Sequence, residues 1–338
     1  MKIGAYELPN RVFAAPMAGI ADRPFRRLCR ALGAGYAVGE MTTVDPRLRA
    51  SRKTSRRLNV DGENAPVAIQ LAGADALMLA DAARYAVDRG AQIIDINMGC
   101  PVKKVCNAAA GSALLRDETL VSGILEAVVR AVCAPVTLKL RTGWSPQHKN
   151  ALRICRIAQE SGIQLVALHG RTRACGFGGN AEYDTIGEVK SRLQIPVVAN
   201  GDIDSPEKAR QVLAYTGADA VMIGRAAQAR PWIFREIDHF LRNGTKLTPI
   251  RIADVRPLLL GYLDEHHLHY GEPDGVHSAR KRIHFLARGL RGGRQLCDRI
   301  NQIDNGAQQR QALDEFLLES AARHAFFEYI DAADASGA

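Results

Sequence analysis

Short apolar segments recur from Val12 to Arg225, and each one ends in small or polar residues. Strands that are apolar throughout are typical of a parallel sheet that is covered on both faces. Segments with helical spacing separate most of them. The apolar segments are Val12–Met17, Tyr36–Met41, Val67–Ala72, Ile93–Gly99, Val136–Arg141, Leu165–Gly170, Val197–Asp202 and Ala220–Arg225; the clearest helical ones are Ala76–Arg89, Asp117–Val132, Ala151–Ser161 and Pro206–Tyr215.

Eight strand–helix units predict an α/β protein with a (β/α)8 TIM barrel over residues 1–243. An open doubly wound sheet is the competing fold, but it usually carries a GxGxxG turn after its first strand, and this sequence has none there. After Leu247-Thr248-Pro249 the spacing becomes helical, over Val255–His266, Val276–Leu290 and a last segment near Ala312–Ile330. We therefore expect a small all-helical domain over residues 250–332 to follow the barrel.

Composition narrows the class of protein. The N-terminus has no secretory signal pattern and no apolar stretch approaches the roughly 18 residues of a membrane span, so we expect a cytoplasmic protein. The seven cysteines form no CxxC pair, which argues against a disulfide framework and against a zinc or iron–sulfur site. We expect no metal and a monomer.

The net charge of +9 is concentrated in two basic clusters. They consist of Arg47, Arg49, Arg52, Lys53, Arg56 and Arg57, and of Arg280, Lys281, Arg282, Arg288, Arg291, Arg294 and Arg299. Such clusters fit a polyanionic partner such as a nucleic acid, although solvated helix faces have the same composition.

The ends of the predicted strands carry the candidate chemistry, because barrels of this type place the active site at the carboxyl ends of their strands. Polar or charged residues at these ends are Gln70, Asn97, Lys139, Arg141, His169, Arg171, Asn200, Asp202 and Arg225. Buried cations are costly unless an anion meets them, so the barrel mouth should bind an anionic ligand. Gly201 and Gly224 follow strands seven and eight, where barrels often hold a phosphate, although each glycine alone also fits an ordinary turn.

Cys100 lies at the end of the fourth strand, between Gly99 and Pro101. Proline removes a backbone donor and ends the strand there. A free cysteine is more often a buried inert thiol, but this loop position gives the accessibility that a reactive thiol needs.

Six motifs together resemble the tRNA-dihydrouridine synthase family, most closely its bacterial B-type branch. They are APMAGIADRPFR, IDINMGCPVKKV, TLKLRTGW, LHGRTR, VANGDI and MIGRAAQARPWIF, in the family's order between Ile3 and Glu236. The resemblance implies an FMN-dependent enzyme that uses NADPH to reduce particular uridines of tRNA, expected in the D-loop, to 5,6-dihydrouridine.

The resemblance also implies roles for individual residues. Pro16, Met17 and Ala18 would line the flavin ring, while Gln70 and Lys139 would bond its polar edge. Asn200, Gly201, Asp202, Gly224 and Arg225 would hold the FMN phosphate, with His169 also against the cofactor. Cys100 would donate a proton to uracil C5. Asn97, Arg141 and Arg171 would contact the substrate at the barrel, and Arg280, Lys281 and Arg282 would contact tRNA phosphates.

Two stretches depart from the family's pattern. Residues Cys106-Asn107-Ala108-Ala109-Ala110 replace polar and basic residues, and they add a second thiol near Cys100. Arg282 stands where the family often has a histidine. Two alternatives remain open from the sequence: an FMN barrel that acts on a free pyrimidine, similar to dihydroorotate dehydrogenase, and a tRNA-binding module without catalysis.

Overall fold

The computed structural model describes residues 1–329 of the chain. Its main sheet contains nine parallel strands, and we number in chain order the eight that form the barrel. They are β1 (Val12–Ala14), β2 (Tyr36–Ala37), β3 (Ala68–Ala72), β4 (Ile93–Met98), β5 (Val136–Arg141), β6 (Val166–His169), β7 (Val197–Asn200) and β8 (Ala220–Ile223).

The strands form a closed barrel. Neighbours in the sheet follow the order β2-β1-β8-β7-β6-β5-β4-β3, and a short strand at Thr42–Thr43 pairs with the end of β3. A parallel bridge between Val38 and Ala68 joins β2 to β3 and completes the ring. The predicted TIM barrel is therefore confirmed, and so is each of the eight predicted strands.

The N-terminal end of the barrel is closed by its own apolar residues. A hairpin of Lys2–Ile3 and Tyr6–Glu7 precedes β1. Its buried Ile3 packs in one cluster with Ile93, Leu165 and Ala220, which lie at or next to the first residues of their strands. The carboxyl ends of the strands are thereby left for polar side chains.

Helices alternate with the strands of the barrel. They are α1 (Arg23–Ala31), α2 (Arg52–Leu58), α3 (Ala76–Asp88), α4 (Lys103–Asn107), α5 (Glu118–Ala131), α6 (Ala151–Glu160), α7 (Asp184–Arg192), α8 (Pro206–Thr216), α9 (Ala226–Ala229) and α10 (Ile233–Asn243), with 3-10 turns at Pro46–Leu48 and Gly111–Arg116 and a hairpin of Gly143–Ser145 and His148–Lys149. Polar side chains cap the N-termini of several of these helices. The Asp75 side chain accepts from Met78 N–H, and the Ser205 side chain accepts from Lys208 N–H. These bonds satisfy donors that the first helical turn leaves unpaired.

The chain after the barrel is helical, as its spacing predicts. It forms α11 (Ile252–Tyr270), α12 (Asp274–Ala287), α13 (Gly293–Asn301) and α14 (Gly306–Arg323). The sequence pattern does not reveal α13, because its first residue is a glycine and it has few apolar positions. The last helix begins and ends earlier than its predicted segment; Ile330, the predicted end of that segment, and residue 332, the predicted end of the domain, lie outside the described residues.

Contacts divide the chain into two units. One contains Met1–Arg225 and Ile233–Gly244, and the other contains Ala226–Trp232 and the chain from Thr245 onwards. Among the described residues, no helix is both long and apolar enough to cross a bilayer.

Candidate active site

A chain of buried hydrogen bonds links the barrel interior to the loop of Cys100. The Asp95 carboxylate on β4 accepts from Thr137 Oγ1 at 2.5 Å and from Gln70 Nε2 at 2.7 Å. Gln70 Oε1 then accepts from Asn97 Nδ2 at 2.8 Å. Burial raises the pKa of Asp95, although the hydrogen bonds from Thr137 and Gln70 oppose that effect. The chain fixes the orientation of both amides, because each has a donor and an acceptor engaged.

The backbone of Cys100 is held on both sides of its α-carbon. Asn97 Oδ1 accepts from Cys100 N–H at 3.0 Å and from Gly99 N–H at 3.3 Å. The Cys100 carbonyl accepts from the Ser112 hydroxyl at 2.8 Å and from Ser112 N–H at 3.1 Å. The thiol is thus presented by a fixed loop rather than by a mobile one.

Cys100 itself is partly exposed, and its thiol is protonated at neutral pH. Burial raises the pKa of Cys100, and the Val102 N–H, Arg141 and Lys139 only partly offset this effect. A protonated thiol is suited to donate a proton rather than to attack as a thiolate. The second thiol, Cys106, lies with its Sγ 3.6 Å from the Cys100 carbonyl oxygen.

Lys139 on β5 is a buried cation that donates to a neutral partner. Its Nζ donates to Asn200 Oδ1 at 3.1 Å, and Asn200 Nδ2 donates to the Met222 carbonyl at 2.8 Å. Burial, with a contribution from nearby Arg141, lowers the pKa of Lys139 to about 8. The ammonium therefore gains most from a ligand that brings negative charge.

Arg141, two residues further along β5, connects two loops of the barrel mouth. Its Nε donates to the Gly99 carbonyl at 2.8 Å, and its Nη1 donates to the carbonyls of Gly176 at 2.8 Å and Thr172 at 3.0 Å. Burial lowers the pKa of Arg141 to about 10, so it stays charged at neutral pH. Its predicted contact with substrate remains a prediction, since these donors fix the loops after β4 and β6.

His169 at the end of β6 is neutral. Burial and the surrounding cations, Lys139, Arg141, Arg171 and Arg225, lower the pKa of His169 to about 2. Its Nε2 lies 3.5 Å from Arg171 Nη1 and acts as an acceptor, because the guanidinium can only donate. A neutral imidazole is available for a hydrogen bond to a ligand but does not add charge to the site.

Asp202 after β7 is shared by two arginines. Arg171 donates to both of its carboxylate oxygens at 2.9 and 2.7 Å, and Arg225 donates to one of them at 2.5 Å. Burial would raise the pKa of Asp202, but the hydrogen bonds from Arg171 and Ala181 hold it below its ordinary value. Arg171 is almost fully buried and also donates to the Gly178 and Gly179 carbonyls, so its contacts within the protein are structural.

The turns after β7 and β8 each contain a glycine, so a ligand can approach their backbone closely. Gly201 has a φ of +125°, and a Cβ there would lie 2.7 Å from the Cβ of Ala181, so a side chain is excluded. A Cβ on Gly224 would meet only Met17 Sδ at 3.7 Å and Ala15 Cβ at 3.8 Å. Pro16 and Met17 are partly exposed and Ala18 is exposed in the turn after β1.

The charges at the barrel mouth fit an anionic cofactor such as FMN. Four cations, Lys139, Arg141, Arg171 and Arg225, face two carboxylates, Asp95 and Asp202. A phosphate and a polar ring edge would supply the missing negative charge and acceptors. Among residues 1–329, no group of three or more His, Cys, Asp or Glu residues is arranged to hold a metal.

The three predicted tRNA contacts on α12 have different surroundings. Lys281 is exposed, with its Nζ 5.8 Å from the centroid of the Phe285 ring. Arg280 donates to Asp304 and to the Ile303 carbonyl, while Arg282 is buried. Of the three, Lys281 is thus the side chain most accessible to an external phosphate.

Sequence reasoning missed three residues at this site. Asp95 and Thr137 lie inside strands whose other residues are mostly apolar. The one sequence signal for them was the carboxylate of Asp95 within an apolar strand. Phe177 follows β6 in the segment Cys175-Gly176-Phe177-Gly178-Gly179, and its ring is 59% exposed near Arg141 and Arg225. An aromatic residue among glycines in a loop at a strand end was the signal for it.

The fold is similar to that of two solved structures. An old yellow enzyme homologue from Zymomonas mobilis aligns with a TM-score of 0.50 and 15% identity, over 74% of this chain and 93% of that chain. A complex of 2-naphthoyl-CoA reductase with 2-naphthoyl-CoA aligns with a TM-score of 0.53 and 13% identity, over 70% of this chain and 51% of that chain. At these identities the likeness shows the fold alone.

Sequence comparison gives the family. The dihydrouridine synthase (Dus) family pattern matches residues 13–323. The chain is 56% identical over 319 residues to tRNA-dihydrouridine synthase B of Pseudomonas aeruginosa, which covers 94% of this chain and 96% of that protein. It is 59% identical over 288 residues to tRNA-dihydrouridine synthase B of Xanthomonas axonopodis pv. citri, and this alignment covers 85% of this chain and 87% of that protein. The chain belongs to the dihydrouridine synthase family, and it is an enzyme.

Proposed function

We propose that this enzyme reduces specific uridines of tRNA, expected in the D-loop, to 5,6-dihydrouridine in the cytoplasm, with bound FMN and with NADPH as the source of electrons. The observation that carries this proposal is the fixed, protonated thiol of Cys100 at the mouth of a barrel with an excess of buried cations. The high identity to tRNA-dihydrouridine synthases B supports the same assignment.

The barrel, residues 1–243, is the proposed catalytic domain, and its residues hold the cofactor. Lys139 and Gln70 meet the polar edge of the flavin ring, and Pro16, Met17 and Ala18 line the ring. Asn200, Gly201, Asp202, Gly224 and Arg225 surround the phosphate, with His169 beside the cofactor as a neutral acceptor or donor. When bound, reduced FMN supplies the hydride that uracil C6 receives.

Cys100 supplies the proton. Addition of a hydride at C6 leaves negative charge on uracil C5 and O4, and the thiol of Cys100 donates its proton to C5. The raised pKa of Cys100 keeps the thiol protonated before this step. Asn97 and Arg141 keep the Cys100 loop in place, and the remaining hydrogen-bonding capacity of Asn97 is directed to the uracil edge. Arg171 binds Asp202, beside the proposed phosphate site, and the carbonyls of Gly178 and Gly179 in the loop after β6.

The helical domain, residues 250–332, is proposed to bind tRNA. A uridine in folded tRNA must leave its stack to enter a pocket at a barrel mouth. Contacts to phosphates from Lys281, the exposed one of the three predicted cations on α12, would set the orientation of the tRNA without reading its sequence. We expect the protein to act as a monomer without a metal ion.

The experiment is conversion of an unmodified tRNA transcript by the purified chain loaded with FMN. With NADPH, the wild-type protein should form dihydrouridine, detected by mass spectrometry as a gain of two hydrogens. Cys100→Ala should lower turnover by about 10²- to 10⁴-fold, the usual contribution of a positioned acid, while NADPH still bleaches the flavin absorbance. Formation of dihydrouridine at the wild-type rate by Cys100→Ala would contradict the assigned proton donor.

The same assay separates the alternatives. A free-pyrimidine reductase would turn over uracil or a related small molecule at a rate that tRNA does not exceed. A tRNA-binding module without catalysis would leave the transcript unmodified even with reduced flavin. Either result would overturn the proposed function.

A further inference from the structure

Phe177 is held outward at the barrel mouth by its neighbours in the loop after β6. Its ring is 59% exposed, although burying an aromatic ring of this size stabilises a protein by about 1.5–3 kcal/mol. Glycine residues flank it on both sides, and Gly176 and Gly179 have φ values of +55° and +63°. The exposure of this ring therefore has a structural cause.

That cause is a pair of buried arginines that bind the loop's carbonyl groups. Arg141 donates to the Gly176 carbonyl at 2.8 Å, immediately before Phe177. Arg171 donates to the Gly178 carbonyl at 3.1 Å and to the Gly179 carbonyl at 2.5 Å, immediately after it. With the backbone fixed on both sides, Phe177 cannot fold inward without breaking charge-assisted hydrogen bonds.

The loop of Phe177 and the loop of Cys100 share one anchor. The Arg141 guanidinium that binds the Gly176 carbonyl also donates to the Gly99 carbonyl at 2.8 Å, immediately before Cys100. The aromatic ring and the thiol are therefore positioned by the same side chain. The ring also lies 5.5 Å from Arg141 Cζ, 5.6 Å from Arg225 Cζ and 6.4 Å from the ring centroid of His169.

We infer that Phe177 is the stacking face for the target uracil of the tRNA substrate. This inference rests on the proposed function and adds a residue that positions the base. A base that has left its stack loses its neighbours, and an exposed aromatic ring replaces one of them. Stacking needs a planar partner, and uracil is planar, whereas 5,6-dihydrouracil has two tetrahedral ring carbons. Phe177 therefore favours the substrate over the product and helps to release the modified base.

The first test compares the half-reactions of Phe177 variants loaded with FMN. Loss of a base–aromatic stack corresponds to about a 5- to 150-fold change. Phe177→Ala and Phe177→Leu should lower kcat/KM for tRNA by that range, whereas Phe177→Tyr and Phe177→Trp should retain most of it. FMN content and the rate of flavin reduction by NADPH should stay at the wild-type level in all four variants. Leu77→Ala, which removes another exposed apolar side chain, on α3, is the matched control.

The second test detects stacking between residue 177 and the base by fluorescence, without turnover. In Phe177→Trp that also carries Cys100→Ala, indole fluorescence should be quenched by unmodified tRNA and much less by the same tRNA that already contains dihydrouridine. Equal quenching by both RNAs, or wild-type kcat/KM in Phe177→Leu, would overturn the inference. Loss of FMN from Phe177→Ala would also overturn it, because the ring would then cover the cofactor. A wild-type protein that forms no dihydrouridine would instead refute the proposed function.

Discussion

Asn97 Oδ1 accepts the backbone N–H of Cys100 at 3.0 Å, while Asn97 Nδ2 donates to Gln70 Oε1 at 2.8 Å. One amide thus ties the loop of the proposed acid to an interior carboxylate, because Gln70 also donates to Asp95. Asp95 cannot move without breaking its own bonds inside the barrel. The position of the thiol therefore depends in part on Asp95, to which we assign no contact with the substrate.

Asn97→Ala should lower kcat for dihydrouridine formation by about 100-fold, a typical cost when a reacting group is displaced by about 1 Å. The loss follows because the Cys100 and Gly99 N–H groups lose their acceptor and the loop relaxes. The measurement is single-turnover oxidation of reduced enzyme by tRNA. Peptide mapping of the iodoacetamide alkylation rate at Cys100 reports the loop directly and should also change.

Ser112→Ala is the matched control, because Ser112 N–H still donates to the Cys100 carbonyl when the hydroxyl is removed. Its effect on kcat should be several-fold at most. Unchanged kcat and alkylation rate in Asn97→Ala would show that the loop is held by other contacts.

The sequence predicted the strands and the residues at their ends because both follow from local patterns. An apolar run that stops at Asn97 or His169 identifies a buried strand and the end that carries chemistry. The contacts between strands are different in kind. That Asp95 joins Gln70 and Thr137, or that Arg171 pairs with Asp202 from a loop 31 residues away, depends on register between neighbours. No pattern within a single segment contains that information.

Burial on α12 also could not be predicted from the sequence, and it decides which cations of the second basic cluster can reach RNA. Arg280, Lys281 and Arg282 are consecutive and look equivalent in sequence. Successive residues of a helix point about 100° apart, so the three side chains meet three environments. Arg282 is buried, Arg280 binds Asp304, and Lys281 faces solvent. Charge counts alone therefore overstate the number of cations available to RNA.

FMN affinity should fall as the pH rises from 7 to 9. The pKa of Lys139 is about 8 in the protein without cofactor, so its ammonium is mostly neutralised by pH 9. An anionic ligand prefers the ammonium form, and binding above pH 8 should therefore be accompanied by proton uptake. Over this range Arg141, with a pKa of about 10, stays mostly charged, and His169, with a pKa of about 2, stays neutral. Titration of flavin fluorescence at pH 7, 8 and 9 measures the effect.

Two variants at Lys139 separate charge from shape. Lys139→Met should bind FMN more weakly at pH 7 and with little further change up to pH 9. Lys139→Arg should stay charged throughout and remove the pH dependence. A wild-type dissociation constant that does not change between pH 7 and 9 would exclude Lys139 as the titrating group.

Asp202→Asn should destabilise the barrel by about 3 kcal/mol, because it removes the negative partner of a buried arginine. Arg171 is buried and would keep only its bonds to neutral groups. Asparagine tolerates the φ of +48° at this position as aspartate does, so the backbone is not strained by the change. The measurement is the free energy of unfolding in urea, without FMN and at neutral pH.

The control for Asp202→Asn is Arg225→Ala. Arg225 binds the same carboxylate, but its side chain is 57% exposed. Exposed pairs contribute about 0–1 kcal/mol, so this variant should remain within that range of the wild type. Equal destabilisation by the two variants would show that burial of Arg171 is not the deciding factor.

The salt dependence of tRNA binding should identify the cations on α12 that meet phosphates. Lys281 on α12 and Arg288, the residue that follows this helix, are exposed and have no carboxylate partner within residues 1–329. Replacing both with alanine should reduce the slope of log K against log salt concentration by about 1 for each phosphate that is no longer neutralised. Arg130→Ala with Arg153→Ala removes the same charge from exposed positions on α5 and α6 and should leave the slope nearly unchanged. Equal slopes for the two double variants would mean that tRNA responds to net charge rather than to these two cations, and the proposed orientation of tRNA by the helical domain would then have to be abandoned.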